Sequence, residues 1–358
     1  MINESDKTFE SDENLVCEPD RTLAIVVKIT NIIPIEKADL IELATVLGWN
    51  VVVKKNEFKV NDLGIYFTID SILDTTKQYS QFLMGKPLKT KKMRGVVSQG
   101  LLGTINWLKE HDYTDLNNLK EGDNLTQIMN VKKYIHPTEE YIYRANDNGN
   151  SPFPQFVPKT DEERVQNIPS KLQQLKDKKV VITKKFDGTS FTCTYTKEDD
   201  KFLICSRNNA IIDLGNRSTT HFFEIGKRYD LETKMRKLGR NIAIQSEICG
   251  PKINCNRLKL KEIDFFVFNI YDIDSRKYLL WDEVMNITSE LGLKTVDVVY
   301  FGIIKDELLS VSKLLELSDA QTYDCGDICE GIVVKTDDPF GRISFKVISN
   351  KFLLKYDL

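Results

Sequence analysis

The sequence predicts an α+β chain of two domains, a small closed β-barrel followed by a larger domain in which strands alternate with helices. Three observations predict it. Residues 22–105 hold five short apolar runs, each bounded by glycine or polar turn residues. Pro137, Asn146-Asp-Asn-Gly-Asn150 and Ser151-Pro-Phe-Pro154 then mark loops, which places a domain boundary near 130–155. From Lys179 onward, strand-like runs alternate with helix-like ones.

A length of 358 residues accommodates two or so domains. Hydrophobic content of 41% with 29% charged residues is that of a soluble globular protein. No apolar run approaches the ~20 residues of a membrane span. The start, Met1-Ile-Asn-Glu-Ser-Asp6, has neither the basic nor the apolar region of a signal peptide. An intracellular protein without a membrane partner is expected, in cytoplasm or nucleus, and a monomer is taken as the default. Seven scattered cysteines fit reduced thiols. With three histidines and no Cys-x-x-Cys, those cysteines read as core or strand residues rather than a zinc site. The net charge of −3 conceals an asymmetry, because residues 1–20 hold seven acids against Lys7 alone. That tail is expected to be disordered. The remainder is mildly basic, so local basic clusters decide whether the chain meets nucleic acid.

Within the barrel region the expected strands are Leu23–Ile29, Leu40–Leu47, Trp49–Val53, Leu63–Asp70 and Ser98–Ile105. Small barrels of this kind often bind oligonucleotides on a strand face. The connection Lys86-Pro-Leu-Lys-Thr-Lys-Lys-Met-Arg94 has five bases and no acid. It reads either as a solvated loop or as a phosphate-tracking patch that uses Lys89, Lys91, Lys92 and Arg94. After the boundary, Thr160 with Glu163 forms a capping-box pattern for a short helix. Thr219–Leu238 is the most helical stretch.

The chemistry concentrates in strands that are each interrupted by a charge. Val181-Ile-Thr-Lys-Lys-Phe-Asp-Gly188 is a strand entering the protein, with Lys184, Lys185 and Asp187 at its mouth and Gly188 for a tight turn. Burial at such a place lowers a lysine's pKa and frees a nucleophilic amine. Asp187 is placed to hold a metal or orient that amine. Arg207, Glu247, Glu330 and Lys346 follow in similar apolar surroundings, and Asp264–Asp272 is an aromatic strand. Any one of these is more often a strand end reaching solvent. Buried charges are costly unless paired or bound to a ligand, so the whole set is hard to dismiss.

This order resembles the covalent nucleotidyltransferase superfamily of polynucleotide ligases and RNA capping enzymes. Lys185-Phe-Asp-Gly188 matches the nucleophile motif, and Arg207, Glu247, Phe268, Glu330-Gly331 and Lys346 match the motifs after it. Within the superfamily the chain is most similar to ATP-dependent RNA ligases of the Deinococcus and Naegleria type. Ser98-Gln-Gly100, Lys159-Thr-Asp-Glu-Glu-Arg164, Gln245-Ser-Glu-Ile-Cys-Gly-Pro251 and Phe345-Lys-Val-Ile-Ser-Asn350 look like their signatures. Ile348 stands where relatives have the second lysine of a Lys-x-Lys motif, and Asn269 where many have aspartate. A second phosphate-binding lysine is then expected from Lys335 or Lys351.

The resemblance implies an N-terminal OB barrel (residues 21–130, after the acidic tail 1–20), a linker (131–158) and a nucleotidyltransferase domain (159–358) of ATP-grasp-like antiparallel sheets with helices. It implies that Lys185 attacks ATP to form lysyl-AMP, that AMP passes to an RNA 5′-phosphate, and that a 3′-OH displaces it. RNA repair, with nicked duplex as the substrate, is the expected setting. Asp187, Glu247 and Glu330 are expected at Mg²⁺ or Mn²⁺, and Phe268 against adenine. Lys346, Lys184 and Gly188 are expected at the nucleotide, Arg207 at the ribose or the RNA end, and Arg164 at the outgoing phosphates. Three other readings compete: a DNA or hybrid nick ligase, a GTP-using capping guanylyltransferase, and an RNA-binding module without catalysis. With twelve residues after Lys346, the C-terminal barrel that capping enzymes normally append is not expected.

Overall fold

Successive side chains of a strand point to opposite faces, and several strands of the first domain are buried on both. The computed structural model describes residues 22–134, 151–211, 220–338 and 341–356. The acidic tail 1–20, Pro137 and the Asn146–Asn150 run lie outside the described residues.

The first domain runs through β1 (Ala24–Lys28), β2 (Asn31–Pro34), β3 (Ile41–Val46), β4 (Trp49–Lys54), β5 (Leu63–Phe67), β6 (Ser71–Ile72), β7 (Thr90–Met93), β8 (Val96–Gln99), β9 (Leu101–Thr104) and β10 (Lys132–Lys133). The antiparallel sheets β1-β5-β9 and β2-β3-β4 enclose one core, in which Val27 and Tyr66 meet Val46, Trp49 and Val51. Val26, Ile65 and Phe67 face the other way, onto Leu108, Leu125 and Met129. Residues beyond 105 therefore fold over the barrel's outer face instead of leaving it. The basic run is a strand in part: β7 pairs with β8, from Thr90 opposite Gln99 to Met93 opposite Val96. Arg94 and Gly95 both have positive φ, the two-residue turn that matches strand twist. The loop expected from composition is thus a hairpin, and Lys89, Lys91, Lys92 and Arg94 are exposed on it.

The second domain comprises β11 (Ser151–Pro152), β12 (Glu163–Arg164), β13 (Lys179–Lys185), β14 (Thr189–Thr196), β15 (Lys201–Cys205), β16 (Asn209–Ile211), α1 (Thr220–Arg228), α2 (Leu231–Leu238), β17 (Ile242–Cys249), β18 (Asp264–Asp272), β19 (Lys277–Tyr278), α3 (Trp281–Glu290), β20 (Val298–Ile303), α4 (Val311–Asp319), β21 (Gly331–Thr336), β22 (Ser344–Ile348) and α5 (Asn350–Tyr356). One sheet has the order β11-β16-β15-β14-β17-β18-β19 and the other β12-β22-β21-β13-β20. Ile182, Ile332, Val334 and Val347 cover one face of the second sheet and pack with Leu314 of α4. The alternate residues Lys185, Lys335 and Lys346 turn toward the first sheet, so the cleft between the sheets collects the charges.

The capping box at Thr160 does not start a helix. Glu163 and Arg164 instead pair in parallel with Phe345 and Lys346, and 3₁₀ turns follow at Val165–Asn167 and Pro169–Leu175. Sheet pairing with a distant strand outweighs the local cap here. Among the described residues the domains pack together along two seams. Val97 of β8 packs with Ile348, Leu353 and Leu354. Gly48, in the β3–β4 turn, lies so close that an added Cβ would be 2.5 Å from Val311 Cγ1. Among the described residues no helix is long and apolar enough to cross a membrane.

Candidate active site

The ladder between β13 and β21 ends at Lys185 opposite Gly331. Beyond that rung a side chain takes over. The Tyr323 hydroxyl donates to the Lys185 carbonyl at 3.1 Å and accepts from the Asp187 and Glu330 N–H groups at 3.2 and 3.1 Å. Tyr323 is buried, edge-on to Phe186. The Lys185 ammonium then reaches Glu330 Oε2 at 2.7 Å. Burial pushes this amine down, but Glu330, Glu247 and Asp187 together outweigh burial and hold it above the ordinary lysine range. The lowered pKa expected from burial is therefore reversed, because the acids crowd around the lysine.

Glu247 comes from β17, opposite Ser190 of β14. Burial raises its carboxyl to about 7; Lys185 pulls it down and Glu330 pushes it up. The Gly188 N–H donates to it. A Cβ on Gly188 would sit 2.2 Å from the Ile248 carbonyl and 2.9 Å from Glu247 Cγ, so close approach demands glycine here.

A cationic end lies beside the acids. The parallel pairing of β12 with β22 sets Arg164 next to Lys346. Burial pushes the Lys346 amine down to about 8, helped by Lys185, Arg164 and Arg207. Arg207, just past β15, pairs with Asp161. Phe268 is the extra residue of a bulge in β18, since Gln245 pairs with Asn269 and Ser246 with Val267; bulges re-aim side chains in this way. Lys335 is buried and donates to the Phe268 carbonyl at 2.7 Å and Asn269 Oδ1 at 3.0 Å. Burial and then Arg342 push its amine down to about 7.

The structure thus draws together Lys185, Gly188, Glu247, Glu330, Lys346, Arg164 and Arg207. It turns Lys184 to the other face of β13, where it pairs with Asp297 at 2.8 Å. Of the two candidates for a second phosphate lysine, Lys335 shares the sheet face of Lys346 with its ammonium donating to the Phe268 carbonyl, and Lys351 is exposed on α5. Arg164 lies beside Lys346 as well. Asp187 lies near the amine, but its carboxylate accepts from Arg257 Nε at 2.6 Å and Asn254 Nδ2 at 2.8 Å. Arg257 in turn stacks on Tyr356, 3.4 Å from the ring centroid. Arg257 and Tyr323 carry no local sequence signal, since both sit in irregular segments whose partners are remote in the chain.

Among the described residues no group of three or more His, Cys, Asp or Glu side chains is placed to hold a metal ion. The pair Glu247 and Glu330 fits a hard cation that keeps several waters. Glu247, raised by burial and by Glu330, would gain from a cation beside it.

A lysine among glutamates, a cationic end on the neighbouring strand and a docked barrel define a nucleotidyl-transferring enzyme of the ligase class. A family model described as RNA ligase matches residues 178–348, and an OB-fold domain model matches residues 23–105. No curated protein matches the chain. Solved structures do. A lysine-to-alanine mutant of Naegleria gruberi RNA ligase with ATP and Mn is 31% identical, with a TM-score of 0.74 over 94% of this chain and 99% of that one. The same ligase with PPi is 32% identical, with a TM-score of 0.72 over 94% and 99%. A glutamate-to-alanine mutant with AMP and Mn is 31% identical, with a TM-score of 0.74 over the same shares. The chain belongs to the RNA ligase family: it is a ligase with an N-terminal OB-fold domain.

Proposed function

We propose that this RNA ligase uses ATP to join an RNA 5′-phosphate to a 3′-OH through an AMP carried on Lys185. The observation that carries the reading is the 2.7 Å contact of Lys185 Nζ with Glu330, with Glu247 and Lys346 close enough for their charges to act on the lysine. In the first step the amine attacks the α-phosphorus, the bond to the bridging oxygen breaks, and pyrophosphate leaves. Glu330 is in place to take the amine's proton. Lys346 and Arg164 oppose charge on the phosphates as it develops. Phe268 offers its ring to adenine, and Arg207 meets the ribose or the RNA end. Glu247 and Glu330 would hold Mg²⁺ or Mn²⁺, which supplies positive charge that lowers the amine's pKa and offsets charge on the phosphate. In the second step an RNA 5′-phosphate oxygen attacks the lysyl phosphorus and Lys185 leaves. In the third, the 3′-OH attacks the 5′-phosphorus and expels AMP.

The domains divide this work. Residues 159–358 perform the transfer, and the barrel (21–130) holds RNA through the exposed bases of the β7–β8 hairpin, across a nicked duplex in the setting of RNA repair. The deciding experiment is incubation with α-labelled ATP or GTP and Mg²⁺ or Mn²⁺. ATP label becomes covalent on the wild type and is lost in Lys185→Ala. Label retained by Lys185→Ala, or preferred from GTP, overturns the reading.

A further inference from the structure

The barrel also reaches the ATP end of the site. Arg164 is the only described arginine whose guanidinium lies over a ring of the barrel, 5.5 Å from the centroid of Trp49, and its backbone is paired with Lys346. Trp49 opens β4 and is 1% exposed, fixed within the barrel core against Tyr66. The turn before it, Leu47-Gly48, has positive φ at both residues and is seated on Val311 and Gln166, at the start of α4 and in the 3₁₀ turn after Arg164. A glycine is required there by both its φ and the 2.5 Å that a Cβ would leave to Val311. The second seam, Val97 against Ile348, Leu353 and Leu354, lies just beyond Lys346 on the same strand. The barrel is therefore held on both sides of the Arg164–Lys346 pair.

We infer that Trp49 is a positioning residue for the ATP-dependent step: its ring holds the Arg164 guanidinium beside Lys346, where the two face the phosphates that leave. The inference rests on the reading of Arg164 given above. A flexible arginine loses rotamer freedom when it binds phosphate; an aromatic platform takes up that loss beforehand, and a desolvated cation–π contact favours the held conformer.

The test compares Trp49→Leu, Trp49→Phe, Arg164→Ala and Trp49→Leu/Arg164→Ala in the full chain, with melting curves to establish folding. Two readouts are followed: lysyl-AMP formation against ATP concentration without RNA, and sealing of pre-adenylylated RNA, which involves no pyrophosphate. Trp49→Leu should raise the KM for ATP roughly fivefold or more, consistent with loss of a contact of this kind, and Trp49→Phe should raise it less. Trp49→Leu should add less than about twofold when Arg164 is already alanine, the non-additivity of residues acting as a unit. Sealing of pre-adenylylated RNA should fall much less than adenylylation. The inference is overturned if Trp49→Leu leaves the KM unchanged while Arg164→Ala raises it, if the two losses simply add, or if both readouts fall equally in a folded variant. If Arg164→Ala itself leaves adenylylation intact, the phosphate role of Arg164 fails and this inference with it.

Discussion

The Tyr323 hydroxyl donates to the Lys185 carbonyl at 3.1 Å, joining residues 138 positions apart in the chain. With its two accepted N–H bonds it spans the gap where the β13–β21 ladder stops, and so sets the distance between the lysine and Glu330. Tyr323→Phe keeps the ring against Phe186 but leaves two N–H groups and a carbonyl without this partner. Each buried group left unpaired costs about 1–3 kcal/mol, so the melting temperature should drop. Small displacements at reacting atoms are expensive, so lysyl-AMP formation should slow roughly 10–100-fold while the KM for ATP changes little. A wild-type rate for this variant in single-turnover labelling would remove Tyr323 from the positioning of Lys185.

Glu247→Ala and Glu330→Ala should each slow lysine adenylylation about 10²–10³-fold, the loss typical when charge at a reacting centre goes uncompensated. Lys184→Ala should keep most of the rate, because that ammonium faces Asp297 on the far side of the sheet. Equal losses for Lys184→Ala and the glutamate variants, measured by labelled ATP, would contradict the division of the two faces.

Lys346 gives a pH dependence whose sign follows from its environment. Burial, Lys185, Arg164 and Arg207 lower its amine to about 8 in the free enzyme. Its charge, and with it attraction for phosphate, is present below that pH and lost above. The kcat/KM for ATP, which reports the free enzyme, should therefore fall above about pH 8, and Lys346→Arg should shift that limb upward because arginine stays charged. Since the folded amine lies below its unfolded value, stability without ATP should rise between about pH 8 and the ordinary lysine pKa of ~10.4. A descending limb unchanged in Lys346→Arg assigns it to another group.

The β7–β8 hairpin predicts a salt effect. Replacing Lys89, Lys91, Lys92 and Arg94 together by alanine should weaken binding of nicked RNA duplex and reduce the salt slope by up to about 3–4, at ~0.9 per phosphate contact. Lys92 is expected to contribute least, since its ammonium already donates to the Leu354 carbonyl at 3.2 Å. Binding and slope equal to wild type, in titrations over a range of salt, would return the run to an ordinary solvated hairpin.

Several features of this protein were legible in the residues because they are local. A charge inside an apolar strand is costly unless something uses it, which singled out Lys185, Glu247, Glu330 and Lys346 from their own neighbourhoods. Short apolar runs bounded by turn residues announced the barrel strands. The basic hairpin was misread as a loop because Thr-Lys-Lys-Met has no apolar alternation; its strand state comes from β8, across an Arg-Gly turn. The capping box failed for a related reason, since pairing with β22 overrode it.

What the chain alone determined was therefore which charges interrupt its apolar strands and in what order. Tertiary structure decided which of them meet. Strand alternation puts Lys184 and Lys185 on opposite faces, but only packing shows that Glu247 and Glu330 lie on the Lys185 side and Asp297 on the other. Asp187 is drawn to Arg257 rather than outward, and Arg164 is set beside Lys346 by a parallel pair spanning most of the domain. The charge state of Lys185 is the clearest case. Burial lowers its pKa, and the remote carboxylates of Glu330 and Glu247, with Asp187 two residues away, raise it; the outcome is a sum over neighbours that the fold assembles, and no local stretch of sequence contains all of them.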